Sequence, residues 1–459
     1  MRTKSSTRYR KPWFVGFASR STLALLSLAS VAVPGCASLG KSEPLVTQEQ
    51  RQSNLASFDQ VWTTIRDKHW DPTLGGRDWD AIGKTYRAQV EQARTASESR
   101  QAMRAMLREL GQSHFAILPA DVYRDLDADD TSGESGDNAG DLGLEVRVLD
   151  GVAVVTAVRP GPAREAGVKP GWIVAQIDDR ELAPILDRIA QARTDGTRLD
   201  YYLTGAVLGR LSGDAGTDVS LVFLDGANEK VPLRLTRQPH AGPATTLGFL
   251  PKAYVRFESR WVAENIGYIA FNLFLDPANT MESLRAAVEE FRDGAGIVLD
   301  LRGNGGGLGA MAMGVSGWFL HEANRRLGTM TMRSATLHFV VLRRPWTYDG
   351  RLAILVDGLT ASTSEILAGG LKDLGRARVF GTRTAGAALP SMIERLPNGD
   401  GFQYAFANYE SYSGAPLEGK GVVPDEEIRL TRAALLAGAD PVLEAAVRWV
   451  QSGGALTAQ

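Results

Sequence analysis

The chain has 459 residues, too many for one hydrophobic core, and its length indicates about three domains. Its hydrophobic content of 44% and charged content of 23% are typical of a soluble globular protein. The formal net charge of −2 lacks the basic excess that attracts nucleic acids and other polyanions, so no nucleic-acid partner is expected.

Residues 1–35 have the pattern of an export signal, in which basic residues precede a short apolar stretch. That stretch, residues 23–34, is too short to cross a bilayer as a helix. The cysteine that follows, Cys36, is the only one in the chain, so no disulfide can form within it. We expect the signal to be removed and the mature protein to be exported.

The end of this signal, Val33-Pro34-Gly35-Cys36, resembles the cleavage box of bacterial lipoproteins. The resemblance implies that Cys36 becomes the lipidated N-terminus and that residues 36–47 tether the protein to a membrane. Because Ala37 rather than aspartate follows the cysteine, it also implies retention at the periplasmic face of the outer membrane of a Gram-negative cell. Pro34 departs from the usual small residue, which leaves ordinary signal cleavage as the alternative.

Residues 48–122 are predicted to form a small helical domain, because apolar side chains recur there at helical spacing. Its last helix is stopped by Gly111, and a short strand-like run follows His114. By position alone His114 is more typical of a structural histidine, but the preceding Ser113 and the abrupt helix end make it a candidate base. The apolar faces comprise Phe58, Val61, Trp62 and Ile65 in one helix and Met103, Met106, Leu107 and Leu110 in another.

Residues 123–141 are acidic and nearly free of apolar side chains, which predicts a flexible linker. Residues 142–240 then form a β-rich unit that resembles a PDZ domain, with a helical insertion at residues 182–215 whose role the sequence does not indicate. In that family the loop matching Leu142-Gly143-Leu144 binds a peptide C-terminal carboxylate through backbone N–H groups. The resemblance implies peptide capture there, and the alternative is a unit that only braces its neighbour.

Residues 245–459 alternate strand and helix patterns, which predicts a largely parallel sheet with helices on its faces. Sites in such sheets lie at the C-terminal ends of strands, where both Asp300 and Ser362 fall. Ser362 follows the apolar run of residues 352–356 and precedes a helix, whose unpaired N–H groups and dipole favour negative charge. Ser362 is therefore a candidate nucleophile, and the alternative is that it only caps the helix.

A glycine-rich turn, residues 300–307, follows a second buried strand and lets backbone N–H groups approach a ligand oxygen. A phosphate loop would carry a lysine, which this turn lacks. Together with a serine on a similar turn, it predicts an oxyanion hole.

Four motifs in this region resemble the successive signatures of the C-terminal-processing and tricorn-core serine peptidases. With the PDZ-like unit and the helical N-terminus, the resemblance covers nearly the whole mature chain. It implies an α/β multidomain protein with a helical domain, a PDZ-like domain and a peptidase domain of the ClpP/crotonase-like type, which uses no metal or organic cofactor. The motifs are Asp300-Leu301-Arg302-Gly303-Asn304-Gly305-Gly306-Gly307, Ser362-Thr363-Ser364-Glu365, Gly381-Thr382-Arg383-Thr384-Ala385-Gly386 and Gly421-Val422-Val423-Pro424-Asp425.

The resemblance also distinguishes two kinds of general base. In the C-terminal-processing branch the base is a lysine, and the matching position here is Ala387. The tricorn-core branch uses a histidine in a Ser-His pair and a glutamate before a Gly-x-x-Pro-Asp turn, which match Ser113, His114 and Glu418. The resemblance therefore implies Ser362 as nucleophile and His114 as base and then acid, supported by Ser113 and Glu418. Without the family, Glu418 is more typical of a solvated turn residue.

By the same resemblance, the N–H groups of Thr363 and of a glycine in the turn hold the oxyanion. Many relatives carry proline at the place of Gly305, which favours Gly306 as the donor. We therefore expect an exported serine endopeptidase that cuts unfolded or C-terminally exposed envelope proteins through an acyl-enzyme. The alternatives are a non-catalytic protein of the same fold that binds hydrophobic ligands or peptides, and a scaffold that docks a partner protease through the PDZ-like unit. The sequence does not indicate the oligomeric state.

Overall fold

The computed structural model describes residues 26–28, 43–120, 139–192, 196–242, 244–246, 248–250, 252–322 and 325–453. The predicted lipidation site Cys36, nearly all of the export signal and most of the acidic linker lie outside these residues. Within the described part of the chain, no helix combines the length and the apolar character needed to cross a membrane.

The N-terminal helical region consists of three helices whose apolar faces join the core of the C-terminal region. Each helix begins at a capping side chain, because Thr47, Asp78 and Thr95 accept a hydrogen bond from a backbone N–H of the first turn. The indoles of Trp62 and Trp79 each donate to the other residue's carbonyl, which holds the first two helices together. The helices are α1 (Gln48–Lys68), α2 (Trp79–Gln92) and α3 (Ala96–Arg108).

After α3 the chain turns into strand β2 (Ala116–Leu118), which pairs antiparallel with a strand of the C-terminal region, Gly401–Ala405. Arg100 of α3 also donates to the buried carboxylate of Asp400 at 2.8–3.0 Å. The strand pair and the charged hydrogen bonds hold the turn between α3 and β2 against the C-terminal region. Ser113 and His114 lie in that turn.

The middle of the chain, residues 139–239, is a β-rich module. Its elements are β3 (Gly140–Asp141), β4 (Leu144–Leu149), β5 (Val152–Val158), α4 (Pro162–Glu165), β6 (Ile173–Ile177), β7 (Arg180–Glu181), α5 (Ala183–Ala192), α6 (Leu199–Leu211), β8 (Asp218–Leu224), β9 (Lys230–Thr236) and β10 (Gln238–Pro239). The main sheet has the strand order β4-β5-β6-β8-β9, and every neighbouring pair is antiparallel. The predicted helical insertion contains α5 and α6.

The predicted linker extends too far towards the C-terminus. Ala139 forms a bridge with Asp214, and β3 pairs with β10. Asp141 is also ion-paired with Arg159 at 2.6 Å. The expectation of a flexible segment up to residue 141 is therefore wrong for its last three residues, which belong to the module.

The C-terminal region contains a six-stranded sheet covered by helices. Its strands in spatial order are β13 (Phe257–Ala263), β14 (Ile266–Phe271), β15 (Gly296–Asp300), β19 (Arg351–Val356), β20 (Ala377–Gly381) and β24 (Glu426–Glu427). The last five run parallel, and β13 is antiparallel at the edge. The parallel strands bring the residues that follow β15 and β19 to one edge of the sheet.

Side chains of the central strands alternate between two apolar cores. Leu299 and Ile354 pack on the face that carries the first three helices of the region, whereas Ala353 and Leu355 pack on the face that carries the last. Burial on both faces explains the continuous apolar runs of these strands and confirms the predicted α/β class. The helices are α7 (Pro277–Glu290), α8 (Gly309–Ser316), α9 (Thr363–Asp373), the short α10 (Arg432–Leu436) and α11 (Pro441–Gln451).

Smaller sheets complete the region. One contains β16 (Gly306–Leu308), β1 (Leu26–Leu28), β21 (Ser391–Arg395), β22 (Gly401–Ala405) and β2 in this order. Another contains β18 (Thr336–Val340), β17 (Arg326–Met332) and β23 (Ala407–Ser411), and β11 (Ala244–Thr245) pairs with β12 (Ala253–Tyr254). The glycine-rich turn thus leads first into the short strand β16 and only then into α8.

Candidate active site

Ser362 lies on a sharp turn between β19 and α9. Its φ of 60° and ψ of −120° are a left-handed conformation that costs a non-glycine residue about 1–3 kcal/mol, so the surroundings must hold it. The Ser362 N–H donates to Glu365 Oε2 at 2.9 Å, and the Ala361 N–H donates to the Asn304 carbonyl at 3.0 Å. Ser362 is completely buried. The turn places the predicted nucleophile at the C-terminal edge of the parallel sheet.

Asp357, the first residue after β19, connects this turn to the glycine-rich turn. Its Oδ1 accepts hydrogen bonds from the N–H groups of Gly303 at 2.8 Å and of Leu359 and Thr360 at 3.0 Å. Its Oδ2 accepts from Arg147 Nε of the β-rich module at 2.9 Å. Burial acts to raise the pKa of Asp357, but Arg147 and the Gly303 N–H outweigh it and hold the pKa below its ordinary value. Asp357 is thus an ionised anchor for both turns.

Asn304 joins the two turns from the other side. Its completely buried side chain donates to the Phe271 carbonyl at 2.7 Å and accepts from the Gly306 N–H at 2.9 Å. Its carbonyl accepts the Ser364 hydroxyl at 3.0 Å, and the Thr363 hydroxyl donates to the Gly307 carbonyl at 2.9 Å. The structure therefore brings Gly306 and Thr363 into adjoining turns. The Gly306 N–H, the predicted oxyanion donor, already has an acceptor here.

Ser113, His114 and Glu418 meet in a buried hydrogen-bonded chain. Ser113 Oγ lies 2.6 Å from His114 Nδ1 and donates to Glu418 Oε2 at 2.8 Å. The Ser113 N–H donates to Glu418 Oε1 at 2.7 Å, and the Ala388 N–H donates to Oε2 at 3.2 Å. Three residues that the resemblance grouped as a relay, two of them more than 300 positions from the third, are thus in direct contact.

The direction of this chain determines which nitrogen of His114 carries the proton. With Glu418 ionised, its carboxylate can only accept, so the single hydroxyl hydrogen of Ser113 points to it and Nδ1 is the donor to Ser113 Oγ. Nε2 is then the unprotonated nitrogen. It is buried and has no hydrogen-bond partner among the described residues, so no hydrogen bond joins it to Ser362 in this state.

Burial shifts the pKa of both His114 and Glu418. It lowers the pKa of His114 to about 3, assisted by the positive charge of Arg198, so the imidazole is neutral at ordinary pH. Burial raises the pKa of Glu418, while Arg198 and the Ser113 hydrogen bonds oppose that rise. Arg198 Nη1 lies 3.6 Å from Glu418 Oε1. Sequence reasoning missed Arg198, because it lies in the helical insertion whose role could not be assigned.

Glu365 is a second residue whose importance sequence reasoning missed. Its completely buried carboxylate accepts from the Ser362 N–H, from the Thr384 hydroxyl at 2.5 Å, and from the N–H groups of Gly386 at 2.8 Å and Ala387 at 3.0 Å. Burial raises its pKa to about 7 although these donors act in the opposite direction. The signal was present in the spacing Ser-x-x-Glu, which is that of a capping box at a helix start.

The loop Leu142-Gly143-Leu144 lies at the start of β4 in the module. The Gly143 N–H donates to Asp141 Oδ1 at 2.9 Å, and the carbonyls of Leu142 and Gly143 accept from Ala163 at 3.0 Å and Arg159 at 2.8 Å. One of the N–H groups expected to bind a peptide carboxylate is therefore occupied by a side chain of the module itself.

The segment β1 shows how an extended chain fits beside the glycine-rich turn. Leu26–Leu28 pairs antiparallel with Gly306–Leu308 on one side and with Ser391 on the other. The space between β16 and β21 therefore accommodates one strand, next to the turn that carries Thr363. Within the described residues, no group of three His, Cys, Asp or Glu side chains is arranged to hold a metal ion.

Two regions of the chain match known protein families. Residues 265–428 match Peptidase family S41, and residues 50–108 match the Tricorn protease C1 domain. The chain is 28% identical over 375 residues to the carboxyl-terminal-processing protease of Picosynechococcus sp., covering 80% of this chain and 82% of the relative. It is 27% identical over 407 residues to the corresponding protease of Synechocystis sp., covering 86% of this chain and 87% of the relative.

Among solved structures, the photosystem II D1 C-terminal processing protease aligns with a TM-score of 0.56 at 24% identity, over 89% of this chain and 98% of that chain. The fold and these matches define a serine-type peptidase. Residues 265–428 therefore form a region of Peptidase family S41, and most of the chain is similar to C-terminal processing peptidases.

Proposed function

We propose that this peptidase uses Ser362 as nucleophile and His114 as general base and then acid, with Ser113 and Glu418 orienting the imidazole. One observation carries the proposal: the hydrogen bonds from His114 through Ser113 to Glu418 leave Nε2 unprotonated, buried and unpaired. A serine hydroxyl needs such a nitrogen to take its proton before the oxygen can attack a carbonyl carbon.

In the proposed reaction, Ser362 Oγ attacks the scissile carbonyl while its proton passes to His114 Nε2. The imidazolium then protonates the leaving amine, and an acyl-enzyme ester remains on Ser362. A water molecule, activated by the same nitrogen, hydrolyses the ester and regenerates the hydroxyl. The imidazolium is unfavourable in this buried site, so its positive charge must be stabilised through Ser113 by the carboxylate of Glu418.

The negative charge that develops on the carbonyl oxygen needs N–H donors. We assign this role to Thr363 and Gly306, which lie on the two adjoining turns. Gly306 would then exchange its present acceptor, Asn304 Oδ1, for the oxyanion when substrate binds. Loss of one such donor is expected to lower turnover about a hundredfold or more.

The arrangement around the alternative bases favours His114 over a lysine. Ala387 stands where the C-terminal-processing branch places its lysine, and a methyl group cannot accept a proton. Lys372, on α9, donates to the Val423 carbonyl at 2.6 Å and pairs with Asp425 at 2.9 Å. These contacts hold its ammonium group beside residues 423–425, in the loop before β24, instead of at Ser362.

The pairing of β1 between β16 and β21 supports an extended peptide as the substrate, because strand pairing recognises a backbone and any segment without secondary structure can supply one. We propose that the substrates are unfolded or C-terminally exposed segments of envelope proteins. From the export signal and Cys36 we further propose that the enzyme is lipid-anchored at the periplasmic face of the outer membrane.

The test is covalent labelling by a fluorophosphonate of the protein lacking its first 36 residues, with the adduct located by mass spectrometry. We expect labelling at Ser362 in the wild type and loss of labelling in His114→Ala. A matched control is His321→Ala, because the His321 side chain is 72% exposed and lies outside the site. Labelling that survives in His114→Ala would refute the proposed base. A folded wild type that is never labelled would favour a non-catalytic binding protein.

A further inference from the structure

The start of α6, which belongs to the β-rich module, lies against the turn of Ser362 and the loop of Glu418. The Thr197 hydroxyl donates to the Gly419 carbonyl at 3.5 Å, and Tyr201 packs with Ala361, Ala385 and Ala387. These contacts place the module beside the residue before Ser362 and the residue after Glu418. The module is therefore part of the wall of the site and is in direct contact with its backbone.

A second contact shows how closely this wall fits. A Cβ added to Gly358 would lie 2.7 Å from Asp200 Oδ2, so only glycine leaves room for the start of α6 at this point. The turn after β19 and the first turn of α6 are thus complementary in shape.

Arg198, at the N-terminal end of α6, brings a positive charge to the relay. Arg198 is only 8% exposed, and its Nη1 lies 3.6 Å from Glu418 Oε1. The Glu418 carboxylate is accepting hydrogen bonds from the Ser113 N–H and hydroxyl and from the Ala388 N–H. A buried carboxylate with neutral donors alone is costly to ionise, and a nearby guanidinium offsets that cost.

The charge of Glu418 controls the direction of the whole chain of hydrogen bonds. A neutral carboxylic acid carries a proton of its own and competes for the role of donor to Ser113 Oγ. If Ser113 accepted that proton, its hydroxyl could donate to His114 Nδ1, and the proton of the imidazole would move to Nε2. The nitrogen that should receive the proton of Ser362 would then be blocked.

We infer that Arg198 of the β-rich module is a positioning residue of the catalytic relay, which holds Glu418 as a carboxylate and so keeps His114 Nε2 unprotonated. The inference rests on the proposed roles of Ser362, His114 and Glu418. It makes the module a contributor to catalysis even when no ligand is bound to it, because the guanidinium acts through Glu418 without touching the substrate.

The charged groups around Glu418 set the expected pH response. Arg198 faces it from the start of α6 and His114 from the turn after α3. Lys420 lies two residues further along the loop of Glu418, and Arg383 donates to the Lys420 carbonyl. Removal of Arg198 would raise the pKa of Glu418 and also that of His114, because its positive charge lowers both. Both changes move the acid limb of the activity profile to higher pH.

The experiment measures the second-order rate of fluorophosphonate labelling at Ser362 from pH 5 to pH 10 in the wild type, Arg198→Gln and Arg198→Lys. In Arg198→Gln we expect at least a tenfold lower rate at pH 7, with recovery at higher pH. Arg198→Lys keeps the charge and should restore most of the rate at pH 7. Circular dichroism and thermal unfolding of each variant show whether it is folded.

The matched control is Arg432→Ala. Arg432 of α10 donates to the carbonyls of Gly171 at 2.8 Å and Asp225 at 2.6 Å, so it also holds the module to the C-terminal region, but away from the relay. We expect its labelling profile to match the wild type. A loss of rate in Arg432→Ala equal to that in Arg198→Gln would mean that docking of the module matters and the charge does not, which overturns the inference.

A double variant tests whether Arg198 acts through Glu418. In a Glu418→Gln background, which has no carboxylate to ionise, Arg198→Gln should change the remaining rate less than twofold. A full additional tenfold loss, or a wild-type profile in the single variant Arg198→Gln, overturns the inference while the proposed function stands. Absence of labelling in the wild type would instead refute the proposed function.

Discussion

Glu365 and Glu418 accept hydrogen bonds from consecutive backbone N–H groups, since Ala387 donates to Glu365 Oε2 at 3.0 Å and Ala388 donates to Glu418 Oε2 at 3.2 Å. Glu365 also holds the N–H of Ser362, while Glu418 holds the turn of the proposed base. One short segment therefore connects the two halves of the site. It determines how the proposed nucleophile and base are placed relative to each other, although no hydrogen bond joins His114 Nε2 to Ser362 here.

The first prediction concerns Glu365→Gln. Oε1 of Glu365 accepts the Gly386 N–H, and Oε2 accepts the N–H groups of Ser362 and Ala387. Replacing either oxygen by an NH₂ group therefore leaves at least one backbone N–H without its acceptor. We expect a loss of about 1–3 kcal/mol in the free energy of unfolding and a slower labelling of Ser362. Urea unfolding measures the first effect. The exposed Glu410→Gln should change neither quantity, and equal stability of the two variants would contradict the prediction.

The second prediction is the pH dependence of this effect. The pKa of Glu365 is raised from 4.5 to about 7, so its folded form binds a proton more tightly than its unfolded form. Its contribution to stability is complete below about pH 4.5 and is lost as the pH rises to about 7, an effect on the order of 3 kcal/mol. The stability advantage of the wild type over Glu365→Gln should therefore shrink across this interval. An advantage that grows with pH would show that the hydrogen-bond donors outweigh burial in setting the pKa of Glu365.

The sequence predicted the elements that carry Ser362 well, because strand and helix patterns are local. The apolar run at residues 352–356 is strand β19, Arg351–Val356, and the helix expected after Ser364 is α9, Thr363–Asp373. The grouping of Ser113, His114 and Glu418 depended on the resemblance to a family, since no local pattern relates residues about 300 positions apart.

Three features of the structure could not be predicted from sequence patterns. Arg198 reaches Glu418 only because the module folds against the C-terminal region, and sequence spacing contains no information on that contact. The Gly306 N–H donates to Asn304 Oδ1, a contact that the glycine-rich sequence of the turn does not predict. At the end of the acidic segment, β3 pairs with β10 and Asp141 is ion-paired with Arg159, two contacts that the low apolar content of the segment does not predict.

The third prediction compares two replacements of Ser362. Both Ser362→Ala and Ser362→Gly should lower hydrolysis on the order of 10⁴-fold or more, because each removes the nucleophile. Glycine adopts a φ of 60° without the strain that alanine retains, so Ser362→Gly should be the more stable of the two by about 1 kcal/mol.

The control for this comparison is Ser220, which lies within β8, where the backbone is extended. There the order should be reversed, with Ser220→Gly less stable than Ser220→Ala, because glycine weakens a strand interior. Thermal unfolding of the four variants gives both orders. If alanine were the more stable replacement at Ser362 as it is at Ser220, the turn at Ser362 would not be strained.

The last prediction concerns Arg147→Ala in the module. Arg147 pairs with Asp357 at 2.9 Å, and the two side chains are only 17% and 20% exposed. Removing the guanidinium leaves the Asp357 carboxylate buried without its cation, which typically costs about 3–5 kcal/mol. The pKa of Asp357 should rise, and the N–H groups of Gly303, Leu359 and Thr360 would be held less firmly.

We therefore expect Arg147→Ala to lower both the free energy of unfolding, measured in urea, and the rate of labelling at Ser362. The matched control is Arg234→Ala, which breaks the pair with Asp218 in the same module, where the side chains are 74% and 39% exposed. An exposed pair contributes less than about 1 kcal/mol, so this variant should remain close to the wild type in both measurements. If the two variants were equally stable and equally reactive, the charge of Asp357 would not depend on Arg147. The glycine-rich turn and the turn of Ser362 would then be held without the module.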